Sequence, residues 1–325
     1  MSLDGFTVVS AFLAAVEVAL GGAAVVLGFR EARARSDAGG PSPMPGAPRR
    51  PLLPLVAAAL AATAVVAIPV GWLLLESWIP RWPGVMCVAG VRRIGEGTVG
   101  ASRFLPDLAA ALDFTRILVL FAAGAWLVLR RSAAVGASRR AAIAAALLGA
   151  VALVDGAASF GFAVLPREEV HLETGCCTVP QRGDERLAMP AGGGDGISGL
   201  LIGGAALLGA GALAARGRPG TGLLPLGGFA ILAAASLPIA ARFLAEVAAP
   251  AVLGLPYHQC SWCALERAPE TAVGALLAVG AACSAGWAFL ARWDDGPGAA
   301  RPLLGAASFG FLGLAAMATV IVCLP

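Results

Sequence analysis

The sequence predicts an all-α polytopic membrane protein of about eight transmembrane helices with three long extracytoplasmic loops. Three observations carry that prediction. Of the 325 residues, 58% are hydrophobic and 13% charged, with a mean hydropathy of +0.82; a soluble domain carries about a quarter charged residues. Apolar windows recur at about 20 residues, the length an α-helix needs to cross the hydrocarbon. Alanine and 43 glycines dominate the composition, and small residues let helix backbones approach closely in lipid.

The spans follow in order. The first, 7–29, is apolar apart from Glu17 and is followed by 30–51, a Gly-, Pro-, Ser- and Arg-rich stretch that reads as a cytoplasmic linker. The second, 53–75, is opened by Leu52-Leu53-Pro54-Leu55. The third, 115–130, is short, because Asp113 and Arg116 crowd its start. The fourth, 141–165, follows an Arg-rich connection, and the fifth, 197–215, is short and Gly-rich. The sixth, 222–246, contains Leu223-Leu224-Pro225-Leu226 at its start. The last two are 271–291 and 302–324. The second and sixth spans share a Leu-Leu-Pro-Leu opening, a later proline (Pro69, Pro238) and a closing glutamate (Glu76, Glu246) before a Cys-bearing loop. That echo fits a four-plus-four parallel repeat within a single membrane domain.

Arginine sets the orientation. The connections 30–51, 131–140, 216–221 and 292–301, with Arg130, hold 13 arginines and four acids. The loops 76–113, 166–196 and 247–270 hold eight arginines and twelve acids. Arg-rich loops stay cytoplasmic, so the second set and both termini are expected outside a plasma (inner) membrane. The first apolar run lacks a basic residue ahead of it, which argues for a retained span over a cleaved signal peptide. Trp72, Trp78 and Trp82 fit the outer interface and Trp287 and Trp293 the inner one.

Composition also excludes functions. The 23 basic residues are all arginine, so there is no P-loop lysine and no nucleotide is expected. A net charge of +3 gives no nucleic-acid signal. Neither histidine falls in a span, which disfavours haem b, and Ala264 after Cys263 excludes the haem c attachment motif. The zinc-hydrolase H-E-x-x-H and serine-hydrolase G-x-S-x-G motifs are absent.

The remaining chemistry collects in the long loops. They hold Cys87, Cys176, Cys177, Cys260, Cys263, His171 and His258. Thiolate and imidazole are soft metal ligands, and paired thiols form a redox couple. The densest stretch is His258-Gln259-Cys260-Ser261-Trp262-Cys263, an H-x-C-x-x-C run. His258, Cys260 and Cys263 with one of Cys176 and Cys177 would make a three- or four-coordinate site suited to Cu(I) or zinc. Met86 and Met189 add thioethers, and Cys323 lies near the outer end of the last span. Cys283, in mid-span, reads as a small core hydrophobe.

Three functions fit this pattern. The first is soft-metal handling, or the assembly of an exported metalloprotein partner. The second is a thiol–disulfide oxidoreductase with Cys260 and Cys263 as the catalytic dithiol and a thioredoxin-like partner. The third is an accessory subunit with disulfide-stapled loops. Separately, Glu17 and Asp155 are carboxylates inside spans, where charge is costly and points to proton or cation handling.

Overall fold

The computed structural model describes residues 5–37, 52–82, 85, 87–95, 100–132, 139–165, 193–218, 221–254, 260–295 and 297–323. Among the described residues the regular structure is helical throughout. In chain order the α-helices are α1 (Gly5–Asp37), α2 (Leu52–Trp78), α3 (Val88–Arg92), α4 (Leu105–Ser132), α5 (Arg139–Val164), α6 (Gly193–Gly217), α7 (Leu223–Phe243), α8 (Ala249–Leu253), α9 (Ser261–Arg267), α10 (Pro269–Asp295) and α11 (Pro297–Val322). Short 3₁₀ turns follow α2 and precede α4, and a π turn, Leu244–Ala248, joins α7 to α8.

Among the described residues, eight helical runs are long and apolar enough to cross a membrane: Gly5–Ala34, Leu52–Arg81, Ala101–Arg131, Arg139–Val164, Gly196–Gly217, Leu223–Leu253, Pro269–Trp293 and Gly298–Val322. The chain is a multi-pass helical membrane protein. Large apolar side chains such as Phe12, Leu55, Phe114, Leu207, Leu224 and Phe309 stand exposed on these runs, as a lipid-facing surface requires.

The chain divides into two compact units. One comprises Met1–Pro83 and Gly90–His171, the other Gly84–Ala89 and Leu172–Pro325. In the first unit α1 packs on α2 and α5, and α4 packs on α2 and α5. In the second, α6 packs on α7 and α11, and α10 packs on α7 and α11. This neighbour order is what an up-and-down four-helix bundle adopts.

The α1–α5 seam shows why glycine and alanine are so frequent. Ala14, Gly21 and Gly28 recur every seventh residue on α1, and Ala142, Gly149 and Gly156 do so on α5. The two rows meet antiparallel. A Cβ on Gly21 would lie 2.8 Å from the Gly149 carbonyl oxygen, and one on Gly149 would lie 2.6 Å from that of Gly21. A Cβ on Gly28 would come within 2.7 Å of the Ala142 carbonyl oxygen, and one on Gly156 within 2.9 Å of that of Ala14. The backbones therefore touch along the seam, and larger side chains have no room there. Leu60, Val119, Trp126 and Leu148 fill the rest of this unit's core. In the second unit Phe311 is fully buried and meets Phe229 edge-on at 6.4 Å between centroids.

Several boundaries differ from the sequence expectation. The third span is not short: α4 begins at Leu105. Asp107 sits in its first turn, where a carboxylate complements the helix dipole. Asp113 accepts a 2.5 Å hydrogen bond from Arg92 Nη2, so a charge that lowers the apolar score is compatible with the helix. The sixth span runs on to Leu253 through the π turn. Pro250 follows that turn and has no N–H to give to Glu246 four residues earlier, which favours the wider turn. Gly254, at φ +64°, then ends the helix in the left-handed conformation. Trp78, expected at the membrane interface, is buried and stacked on Phe162 with ring centroids 5.5 Å apart.

Candidate metal centre

The second unit brings three thiols together, one from 84–89 and two from the segment after α8. Cys87 immediately precedes α3 and is buried, between the buried Val85 and Val88. Cys260 is the residue before α9, extended at φ −90° and ψ 103°, so its side chain sits at the helix entrance. Cys263 lies one turn into α9 and is buried with Ala264. Local bonds hold this turn. The Ala264 N–H donates to the Cys260 carbonyl at 3.2 Å. The Thr271 hydroxyl donates to the carbonyls of Ala264 at 2.9 Å and Ala268 at 2.7 Å. Thr271 is itself buried at the start of α10, so α9 is fastened to a membrane-spanning helix.

The Sγ atoms of Cys87, Cys260 and Cys263 all lie within 4.8 Å of one another. All three residues are thiols in this structure. Burial pushes the Cys263 thiol well above the ordinary cysteine range, and the neighbouring Cys260 and then Cys87 raise it further. A protonated thiol is a poor nucleophile and a poor ligand. A soft cation reverses that balance by displacing the proton.

The donor set fits such a cation. Three thiolates at a metal–sulfur distance of about 2.3 Å in a plane stand about 4.0 Å apart. The sulfurs lie within 4.8 Å of one another, so bringing them to that spacing takes less than about 1 Å of side-chain movement. An all-sulfur set of three selects Cu(I), while Zn(II) calls for a fourth ligand. The same geometry also places Cys260 and Cys263 as a dithiol.

Of the other predicted ligands, His258, His171, Cys176 and Cys177 lie outside the described residues, as do Met86 and Met189. Cys323 is exposed at the end of α11, away from burial, and Cys283 is buried within α10. Sequence reading placed Cys87 among the ligands by its loop alone. Its meeting with the C-x-x-C pair is a property of packing, and no spacing rule signals it.

The first unit holds the intramembrane carboxylates. Glu17 on α1 is fully buried and Asp155 on α5 is 2% exposed. Thr115 Oγ1 donates a short hydrogen bond to Asp155 Oδ1. Arg116 on α4 lies against Gly71 of α2, where an added Cβ would meet Nη2 at 2.5 Å. Sequence reading noted Arg116 only as crowding a short span; with α4 beginning at Leu105, it stands inside the membrane-spanning run.

No protein-family model matches the chain, and neither a curated protein nor a solved structure matches it.

Proposed function

We propose that the protein handles a soft metal ion, Cu(I) foremost, as cargo at Cys87, Cys260 and Cys263, and passes it to an exported metalloprotein. The observation that carries this reading is the convergence of three sulfurs from two separate segments within 4.8 Å. Arginine distribution supports an extracytoplasmic placement of the triad. In this reading metal entry expels thiol protons and the triad closes around the ion. His258, two residues before Cys260, and the adjacent Cys176 and Cys177 supply exchange ligands for transfer. Low-coordinate Cu(I) suits such exchange, because a fourth ligand can enter before another leaves.

The test is Cu(I) competition against a chromogenic chelator, with the reduced full-length protein in nanodiscs. One ion per chain is expected. Cys87→Ser and Cys263→Ser should each lose more affinity than the roughly 10–100-fold typical of an outer-shell partner, while Cys283→Ser should bind as wild type. Absence of copper and zinc stoichiometry, or a Cys87→Ser protein that binds normally, overturns the reading.

One observation favours a second reading, a membrane thiol–disulfide oxidoreductase. Cys260 and Cys263 stand in a C-x-x-C with their sulfurs within 4.8 Å of each other, as the partners of a dithiol do. Cys260 would attack the disulfide of a thioredoxin-like partner and Cys263 would resolve the mixed disulfide, two electrons and two protons passing to the partner's thiols. Cys263→Ser would then trap a covalent complex through Cys260. The metal reading predicts no such complex.

A further inference from the structure

We propose that the cavity between α1, α2, α4 and α5 is a proton-binding site, with the Glu17 carboxylate as the group that takes up and gives back the proton. The cavity is lined by Ser10, Ala14, Glu17, Val70, Arg116 and Ser159, among others. Glu17 is 0% exposed, yet neither carboxylate oxygen has a hydrogen-bond partner. Arg116 Nε and Ser159 Oγ are likewise buried without one. Four unsatisfied polar atoms thus belong to residues lining one small space, where leaving them without a partner is costly.

Size and charge decide what fills it. The cavity leaves about 10 Å³ for the centre of a water-sized body, about the threshold for one water molecule. It is too small for an organic ligand. Ionised Glu17 and Asp155 with Arg116 sum to one excess negative charge inside an apolar bundle, which is costly. Among the described residues, the charged groups facing the site are Asp155 and Arg116, with Asp113 and Arg92 beyond them. The α2 lining, Ala67 and Val70, has none. One proton removes the excess. Asp155 already receives the Thr115 hydroxyl, which favours its anion over that of Glu17, whose carboxylate has no donor, so the proton is assigned to Glu17.

Asp113 lies one turn before Arg116 on α4, its side chain 52% exposed, and is bridged to Arg92. Asp113, Arg116 and Glu17 alternate in sign from the exposed Asp113 inward, with the largely buried Arg92 beside Asp113. The proton comes from solvent and binds a Glu17 oxygen; nothing is oxidised or reduced.

Infrared spectroscopy of the full-length protein in nanodiscs tests this. At pH 7, where an ordinary glutamate of pKa about 4.3 is ionised, one protonated-carboxyl C=O band should remain. It should shift in D₂O, move on ¹³C-glutamate but not ¹³C-aspartate labelling, and vanish in Glu17→Gln. Asp155→Asn removes the excess charge and should displace the band's midpoint to lower pH. The labelling result stands even where a variant fails to fold. No band at pH 7, a band carried by aspartate, or a band that sodium ions abolish at constant pH and ionic strength, would each overturn the proposal; the last would make the site one for a metal cation.

Discussion

At the residue scale, Cys263 governs how the triad responds to pH. Its thiol is raised by burial and by Cys260 and Cys87, so it remains protonated through the neutral range and a bound cation must displace that proton. Apparent Cu(I) affinity should therefore rise about tenfold per pH unit for each proton released. Competition titrations between about pH 6 and 8 would show the slope, and Cys263→Ser should reduce it. Without metal the sign reverses for stability. The unfolded chain ionises this thiol at about pH 8.5 while the folded chain does not, so folding weakens as pH rises through that region. Legibility at this scale was uneven. Glu17 and Asp155 stand out because a carboxylate inside an apolar run has no ordinary place. Arg116 did not, because it lies near charges that look like the edge of a span.

At the element scale, the α1–α5 seam is the feature most sensitive to substitution. Gly149→Leu places a side chain where even a Cβ would sit 2.6 Å from the Gly21 carbonyl. Overpacking of a filled interface costs about 1–3 kcal/mol, and here the obstruction is backbone. A lower thermal midpoint in detergent is expected. Gly22→Leu, next to the seam with no atom within 4 Å of its Cβ position, should leave the midpoint unchanged. Gly95 makes a second case. It has φ +96° and its Cβ would fall 1.9 Å from the Ser102 carbonyl oxygen, so Gly95→Ala should destabilise the turn leading into α4 and raise protease sensitivity there. Sequence patterning revealed the abundance of small residues. The seven-residue rows became meaningful only when the antiparallel partner was known, because each row reads as one more Ala/Gly-rich face.

At the scale of the whole molecule, eight apolar runs were legible because hydrophobic length is a direct record of bilayer thickness. The extent of α4 and of the sixth span was not, because Asp107, Asp113 and Glu246 are helical residues that score as loop. The C-x-x-C pair was legible as a local motif. Its third partner, Cys87, was legible only as one of several thiols in the long loops, since it meets the pair through packing from a distant part of the chain. Orientation is a whole-molecule prediction: with arginine-rich connections inside, Cys323 should react with a membrane-impermeant maleimide added outside intact cells, in a variant whose other cysteines are replaced. Labelling only after the membrane is opened would reverse the assigned topology.

X-ray absorption at the copper edge of the Cu(I)-loaded, full-length protein is the decisive test of the proposed three-sulfur metal centre. Three sulfur scatterers at about 2.3 Å are expected, falling to two in Cys87→Ser. A first shell dominated by nitrogen or oxygen, or a sulfur count that does not change in Cys87→Ser, would contradict it.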